Sequence, residues 1–409
     1  LLDLATTLKE YLRYYNNNLT FMRISIIYLI FINILNINAQ ERVITTGVPF
    51  LLITPDARAG GMGELGVATS PDAYAQQWNP AKYAFIESDN GLGLSYTPYL
   101  RQLVDDIFLG SLTYFNKINE RSAWAASLKY FSLGNIQFNE SIAGTIVDQG
   151  SKRPNEITLD LSYSLKLSDK FSMSVAGRYI RSDLKINIDM DATSANTLGV
   201  DIAGFYQSNS FGIGNKDAVL RTGFNISNIG PRLKYDEGGQ KDFIPTNLRI
   251  GSGIDFILDE SNVLGINIEF SKLLVPSPIA FYDENDNLYY RQPDVSFLKG
   301  ILESFGDAPD GSKEELKEVT WAVGTEYKFG KNFALRTGYF NESIEKGSRR
   351  YLTFGAGFKY NNTNIDISYL SSTSKIRNPL ENTLRFSLTF NFDGLNGGCL
   401  LYTSPSPRD

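Results

Sequence analysis

The run Asp283-Glu284-Asn285-Asp286-Asn287 concentrates oxygen-bearing side chains, the hard donors that hold calcium. An EF-hand loop also needs a glycine at its sharp turn and a distal bidentate glutamate. Both are missing, so a solvated acidic loop is the better reading. Gly60-Gly61 and Gly91-Leu92-Gly93 could bring backbone amides to a phosphate. Neither stands between a strand and a helix with the Lys-Ser or Lys-Thr pair that a phosphate loop requires. Histidine is absent from the 409 residues, which removes Ser-His-Asp and Cys-His catalysis and imidazole metal sites. The single cysteine, Cys399, makes neither a disulfide framework nor a thiolate metal site. No enzyme, metal or cofactor is expected. Net charge is −6 with no basic patch, so nucleic acid is not an expected partner.

What remains is a set of charged residues at alternate positions, among them Lys129, Asp160, Arg178, Asp201, Arg249, Glu269, Glu326, Arg336, Asp366 and Arg385. Both signs share one face. Such a face fits an interior closed by ion pairs or a polar pore; ion pairing is preferred, because a plug is expected to fill the space.

The elements carrying these residues are strands. In Thr158–Leu167, Leu159, Leu161, Tyr163, Leu165 and Leu167 alternate with Thr158, Asp160, Ser162, Ser164 and Lys166. A side-chain period of two gives one apolar and one polar face. The pattern recurs in about fourteen segments from Gly91 to Phe392, with no helices between them. It predicts an all-β fold: a transmembrane antiparallel β-barrel of about 14 strands, apolar towards lipid and polar towards the lumen. Mean hydropathy is slightly negative, as expected when only every second residue meets lipid. The 26 Phe and 23 Tyr would supply two interfacial girdles. Connector length is an independent check. Asn116–Arg121, Ser168-Asp169, Asp259–Ser261, Gly330-Lys331 and Asn361-Asn362 are short, and only Asn209–Ala218 in that set is longer. Ser132–Asn155, Ser182–Asn196, Gly230–Pro245 and Leu274–Glu318, in the opposite slots, are long. Short turns belong in the periplasm and long loops outside, with both mature termini expected at the periplasmic end.

Domain boundaries follow. Residues 1–21 read as upstream sequence. Residues 22–39 read as a signal peptide, with an apolar run Ile24–Leu35 and a cut after Ala39. Residues 40–88, rich in Gly and Ala, read as a plug in the barrel mouth, with a short helix starting at Ser70-Pro71-Asp72 and ending at Trp78-Asn79-Pro80. Residues 89–392 form the barrel. Residues 393–409 are a tail that reads as an assembly scar from 399.

These residues resemble a family. Asp56-Ala57-Arg58-Ala59-Gly60-Gly61-Met62-Gly63, Ala68-Thr69-Ser70-Pro71-Asp72-Ala73 and Gln77-Trp78-Asn79-Pro80-Ala81-Lys82-Tyr83-Ala84-Phe85 are similar to the N-terminal signature of PorV, the outer-membrane protein of the type IX secretion system of Bacteroidota. Phe305-Gly306-Asp307-Ala308-Pro309, with Lys313–Glu318 after it, also resembles that family. The overall plan resembles the FadL-type barrel. The resemblance implies a plug motif at Asp56, Arg58, Trp78, Asn79 and Pro80. It implies an outer-membrane component of the type IX secretion system. That component receives cargo bearing a C-terminal β-sandwich signal from the translocon barrel and delivers it to a sortase-containing attachment complex, with outer-membrane lipid around it. The alternative is FadL-like uptake of a hydrophobic small molecule. In the longest connector, Phe297, Ile301 and Phe305, spaced by four with Leu298 and Leu302 beside them, would form one apolar helical stripe. It either folds over the barrel mouth or docks a partner.

Overall fold

The computed structural model describes residues 43–392, apart from 101–103, 105, 143–144, 185–192, 236–239, 283–285, 331 and 375–379. The upstream segment, the signal peptide, the tail and the acidic stretch Asp283-Glu284-Asn285 lie outside the described residues.

Fourteen strands form one closed antiparallel barrel: β1 (Asn90–Pro98), β2 (Ile107–Asn119), β3 (Ser122–Leu133), β4 (Asn155–Ser168), β5 (Phe171–Asp183), β6 (Ala195–Gln207), β7 (Lys216–Ile229), β8 (Asn247–Ile257), β9 (Val263–Leu273), β10 (Thr320–Phe329), β11 (Phe333–Asn341), β12 (Arg350–Tyr360), β13 (Thr363–Ser372) and β14 (Leu384–Asn391). Each pairs with its neighbour in sequence, and β14 closes onto β1 from Gly91↔Asn391 to Tyr96↔Phe386. Closure leaves no unpaired edge in the ring, the condition for strands to cross lipid. The longer turn at Asn209–Ala218 continues the ladder: Phe211–Ile213 pairs with Lys216–Ala218 and lengthens the β6–β7 hairpin. Two further hairpins, Ile136–Ile142 with Thr145–Lys152 and Ile279–Tyr282 with Leu288–Arg291, rise from the long-connector end.

The faces follow the period of two. Leu161 is 61 % exposed and Ser162 beside it 2 %. Outward aromatics gather near both ends. Tyr96, Phe108 and Tyr130 meet with tilted rings across β1–β3 towards the long-connector end, and Trp321 meets Tyr339 there. Tyr114 meets Trp124, and Phe333 meets Phe358, towards the short-turn end. These are the two girdles that an apolar band between two aqueous interfaces requires.

The segment before β1 runs through the lumen. Gly47 N donates to Phe243 O (2.9 Å) and Val48 N to the Tyr235 hydroxyl (3.3 Å), both on the β7–β8 connector at the long-connector end. Phe85 packs on Phe205 near the short turns, and Lys117 N donates to Asp89 O. The first described residues therefore sit at the long-connector end, opposite to the end expected for the mature N-terminus. The described segment thus crosses the lumen from the long-connector end to the short-turn end before it enters β1. Helix α1 (Ala57–Gly60) and helix α2 (Ala75–Trp78) lie along this path. The expected helix start at Ser70-Pro71-Asp72 moves to Ala75, because the Ser70 and Asp72 side chains are engaged by Arg58 and do not cap a helix.

The lipid face carries a direct test. Leu161→Arg places a cation at mid-strand towards lipid and should cost roughly 2–4 kcal/mol of folding free energy in bilayers. Leu161→Phe should cost far less. Urea titration of bilayer-folded protein, read by heat-modifiable migration, compares the two, and equal costs would reverse the assignment of faces. Ser162 is no neutral lumen control, since its hydroxyl donates to Gln76 Oε1 at 2.6 Å and the space beyond it is full.

Candidate functional site

The centre of the lumen is an ion-pair chain built on Arg58. Asp56 caps α1 by accepting from Ala59 N (2.8 Å) and also accepts from Trp78 Nε1 (2.8 Å). That fixes the helix, and with it the direction of Arg58. The Arg58 guanidinium grips Glu326 of β10 with two parallel bonds, Nε to Oε1 (3.0 Å) and Nη2 to Oε2 (2.9 Å). Its Nη1 donates to Asp72 Oδ2 (2.6 Å) and its Nη2 to Ser70 Oγ (2.6 Å). Glu326 also accepts from Arg336 Nε (2.8 Å), whose Nη1 donates to Asp366 Oδ1 (2.6 Å). The chain thus crosses from the N-terminal segment to β10, β11 and β13. Bidentate arginine–carboxylate geometry suits this, since it fixes orientation and satisfies several donors at once.

Other pairs hold the rest of the wall. Arg385 of β14 pairs with Glu64, which also accepts from the Tyr351 hydroxyl (2.6 Å). Arg178 pairs with Asp160 and with Asp201 (3.1 Å), and Arg221 with Asp255. Lys129 donates to Gln77 Oε1 (2.6 Å), and Glu269 Oε2 accepts from Gly66 N and Val67 N. Asn79 Nδ2 donates to Val67 O and to Gly204 O of β6, while its Oδ1 accepts from Ala81 N. Pro80 then opens a 3₁₀ turn over Pro80–Phe85, where its missing N–H is no loss. The expected alternative of an open polar pore gives way to a network. All five plug-motif residues, Asp56, Arg58, Trp78, Asn79 and Pro80, are buried.

Part of the contact is glycine against glycine. A Cβ on Gly338 of β11 would lie 2.2 Å from Gly63 N, and one on Gly324 of β10 would lie 2.3 Å from Met62 O. Gly63 itself has φ +77°, a conformation that disfavours side chains. The wall lacks side chains where the N-terminal backbone rests.

Sequence reasoning missed Glu64, Gln76 and Gln77 as wall-binding groups, and Asp72 and Lys82 as ties within the N-terminal segment. Residues 40–88 have no period to read, so nothing local marks which polar side chain meets which strand. Among the described residues no cluster of His, Cys, Asp or Glu could hold a metal.

The apolar connector residues separate in space. Helix α3 (Phe297–Glu303) starts at the Ser296 cap and ends before Phe305. Its covered side is Gly300 and Ser304; a Cβ on Gly300 would meet Phe243 at 2.8 Å. Phe297 and Ile301 are half-buried, while Leu298, Leu302 and Phe305 are exposed. The single stripe expected from spacing is therefore split. Helix α4 (Ser312–Lys317) is tied to the rim by Lys346, which donates to Glu314 (2.7 Å) and Glu318 (3.0 Å). Burial disfavours the Lys346 charge, but bonds from the two carboxylates outweigh it and hold its pKa above the usual lysine value.

A family model described as "Type IX secretion system protein PorV" matches residues 36–280. The chain belongs to the PorV family. No curated protein matches it. Among solved structures it is similar to the P. putida toluene transporter TodX, at 15 % identity over 83 % of this chain and 99 % of that one, TM-score 0.50. It is also similar to a TodX deltaS2S3 mutant monoaromatic hydrocarbon channel, at 14 % identity over 82 % and 99 %, TM-score 0.51. At these identities the likeness is one of fold. This PorV-family barrel is an outer-membrane component of type IX secretion, crossing the outer membrane many times with strands.

The glycine seat predicts a separable defect. Gly338→Val should unseat the N-terminal segment while the barrel still forms. Limited proteolysis should then cut within 43–88, and liposome conductance should rise, with heat-modifiable migration kept. Wild-type protection in both assays would mean that the close approach is not what seats the segment.

Proposed function

We propose that this barrel is a carrier of secreted proteins that works by its outer surface, not through its lumen. It receives cargo bearing a C-terminal β-sandwich signal from the translocon barrel and hands it to the sortase-containing attachment complex. The observation that carries this reading is the filled lumen. A segment bonded to β6, β9, β10 and β14 leaves no path for a polypeptide. Membership of the PorV family supplies the secretion context. The long connectors then face outside the cell, and the exposed Leu298, Leu302 and Phe305 are the candidate docking side chains. Desolvated apolar anchors usually dominate an interface, and three exposed on one short stretch is more than a lone surface leucine. Phe297 and Ile301, half-buried, hold the helix in place.

A second reading is uptake of a hydrophobic small molecule. A cavity of about 490 Å³ at the long-connector end supports it, a volume in the usual range for ligand pockets. The seal of Arg58 and its partners below that cavity weighs against passage.

Changing Leu298, Leu302 and Phe305 together to Ser should leave heat-modifiable folding intact and abolish co-purification of cargo or translocon from native membranes. Retained partners with a folded barrel would refute docking at these residues. Protease added to intact cells should cut within 274–318 and spare the 361–362 turn; the reverse pattern would invert the orientation.

A further inference from the structure

On the outer surface of β5 a cation stands at the height of lipid headgroups. Val175, Gly177, Tyr179 and Arg181 share the outward face of this strand and alternate with the buried Ala176, Arg178, Ile180 and Ser182. Arg181 lies one step beyond the exposed Tyr179 ring, towards the long connectors. Outward aromatics mark the membrane–water interface, and a long basic side chain just past them extends its charge among headgroups. The Arg181 side chain is 46 % exposed, and its one ion pair, with Asp183, is 3.8 Å long, beyond hydrogen-bond length. Lys152, at the end of the neighbouring hairpin, approaches the same carboxylate at 3.5 Å. Arg153 follows it, exposed, with its Nε donating to Asn135 Oδ1 at 3.1 Å. Against Lys152, Arg153 and Arg181 the described ion pairs set only Asp183.

Below these cations the lipid face is notched. The register partners of Gly177 are Leu161 on β4 and Val200 on β6, both exposed. A Cβ on Gly177 would meet nothing within 4 Å, so the missing side chain leaves a recess between those two. The Tyr179 hydroxyl donates to Asn196 Oδ1 or accepts nothing from β4, and this bond of 2.7 Å holds the ring towards β6.

We infer that β4–β6 bind a phosphorylated, acylated glycolipid of the lipid A class, with phosphate on Arg181 and Lys152 and an acyl chain against Gly177. The guanidinium fork matches phosphate geometry. Cations that outnumber their carboxylate partner at the membrane surface attract anionic headgroups. With the long connectors outside the cell, the leaflet at this height is the outer one, where such glycolipids reside. A soluble phosphate would gain nothing from the recess; a lipid fills both parts of the site. The site needs that orientation of the barrel and nothing else of the carrier reading.

The test uses the full barrel in detergent micelles, with bisphosphorylated lipid A as probe and fully dephosphorylated lipid A as control. Native mass spectrometry should show the probe bound roughly tenfold or more tightly than the control, the worth of two surface cations. Lys152→Gln with Arg181→Gln should bring the probe down to the level of the control. Gly177→Leu should weaken both lipids. Lys359→Gln, an exposed cation at the short-turn end, should change neither. All these side chains lie outside the lumen, and heat-modifiable migration checks that each variant folds. Equal binding of the two lipids, undiminished probe binding in the double variant or in Gly177→Leu, or an equal loss in Lys359→Gln would overturn the proposal.

Discussion

A barrel lumen lined with charge must neutralise that charge within itself, and the pairing of Arg58 with Glu326 is where this protein does so. Glu326 and Arg336 face inward on adjacent strands, and Asp366 extends the chain to a third. None of them can turn to lipid, where a cation at the midplane costs roughly 2–4 kcal/mol. Without Arg58, Glu326 would keep Arg336 and lose its bidentate partner. Breaking a buried pair by removing one partner commonly costs about 3–5 kcal/mol. The N-terminal segment therefore completes the wall electrically as well as filling space.

The same constraint explains the odd composition of that segment. Its helices are only four residues each, too short to be stable by propensity. They and the 3₁₀ turn after them persist because wall side chains hold them: Ser387 Oγ accepts from Ala57 N, Ser172 Oγ donates to Ala81 O, and Asn225 Nδ2 donates to Trp78 O. Close approach requires glycine on both sides, as at Gly338 against Gly63. Two surfaces rich in small residues and polar groups exchange hydrogen bonds with water for hydrogen bonds with each other.

Division of labour follows from the filled lumen. The lower and middle lumen is committed to structure. On the proposed reading, recognition falls to the long-connector end, where the rim carries α3, α4, two hairpins and the cavity. There Lys272, Lys346, Glu314 and Glu318 clamp the longest connector to β9 and the β11–β12 connector. A connector of that length held by paired charges can present exposed leucines without collapsing onto the membrane.

The barrel was legible in the chain because a strand's two faces repeat every second residue, and lipid on one side forces that repeat to be visible. The alternation in Thr158–Leu167, repeated in about fourteen segments as far as Phe392, needed no tertiary information, and the alternation of connector lengths fixed which ends were alike. The inward direction of Arg178, Glu326 and Arg385 followed from the same parity. Their partners did not. Which carboxylate meets Arg58, why Ser70 and Asp72 leave a helix start unmade, where the chain enters the lumen, and which of Phe297, Leu298, Ile301, Leu302 and Phe305 stay exposed all depend on contacts between residues up to several hundred positions apart. Periodicity reports the environment of one residue at a time. Pairing across a lumen is a property of two, and only the closed ring brings them together.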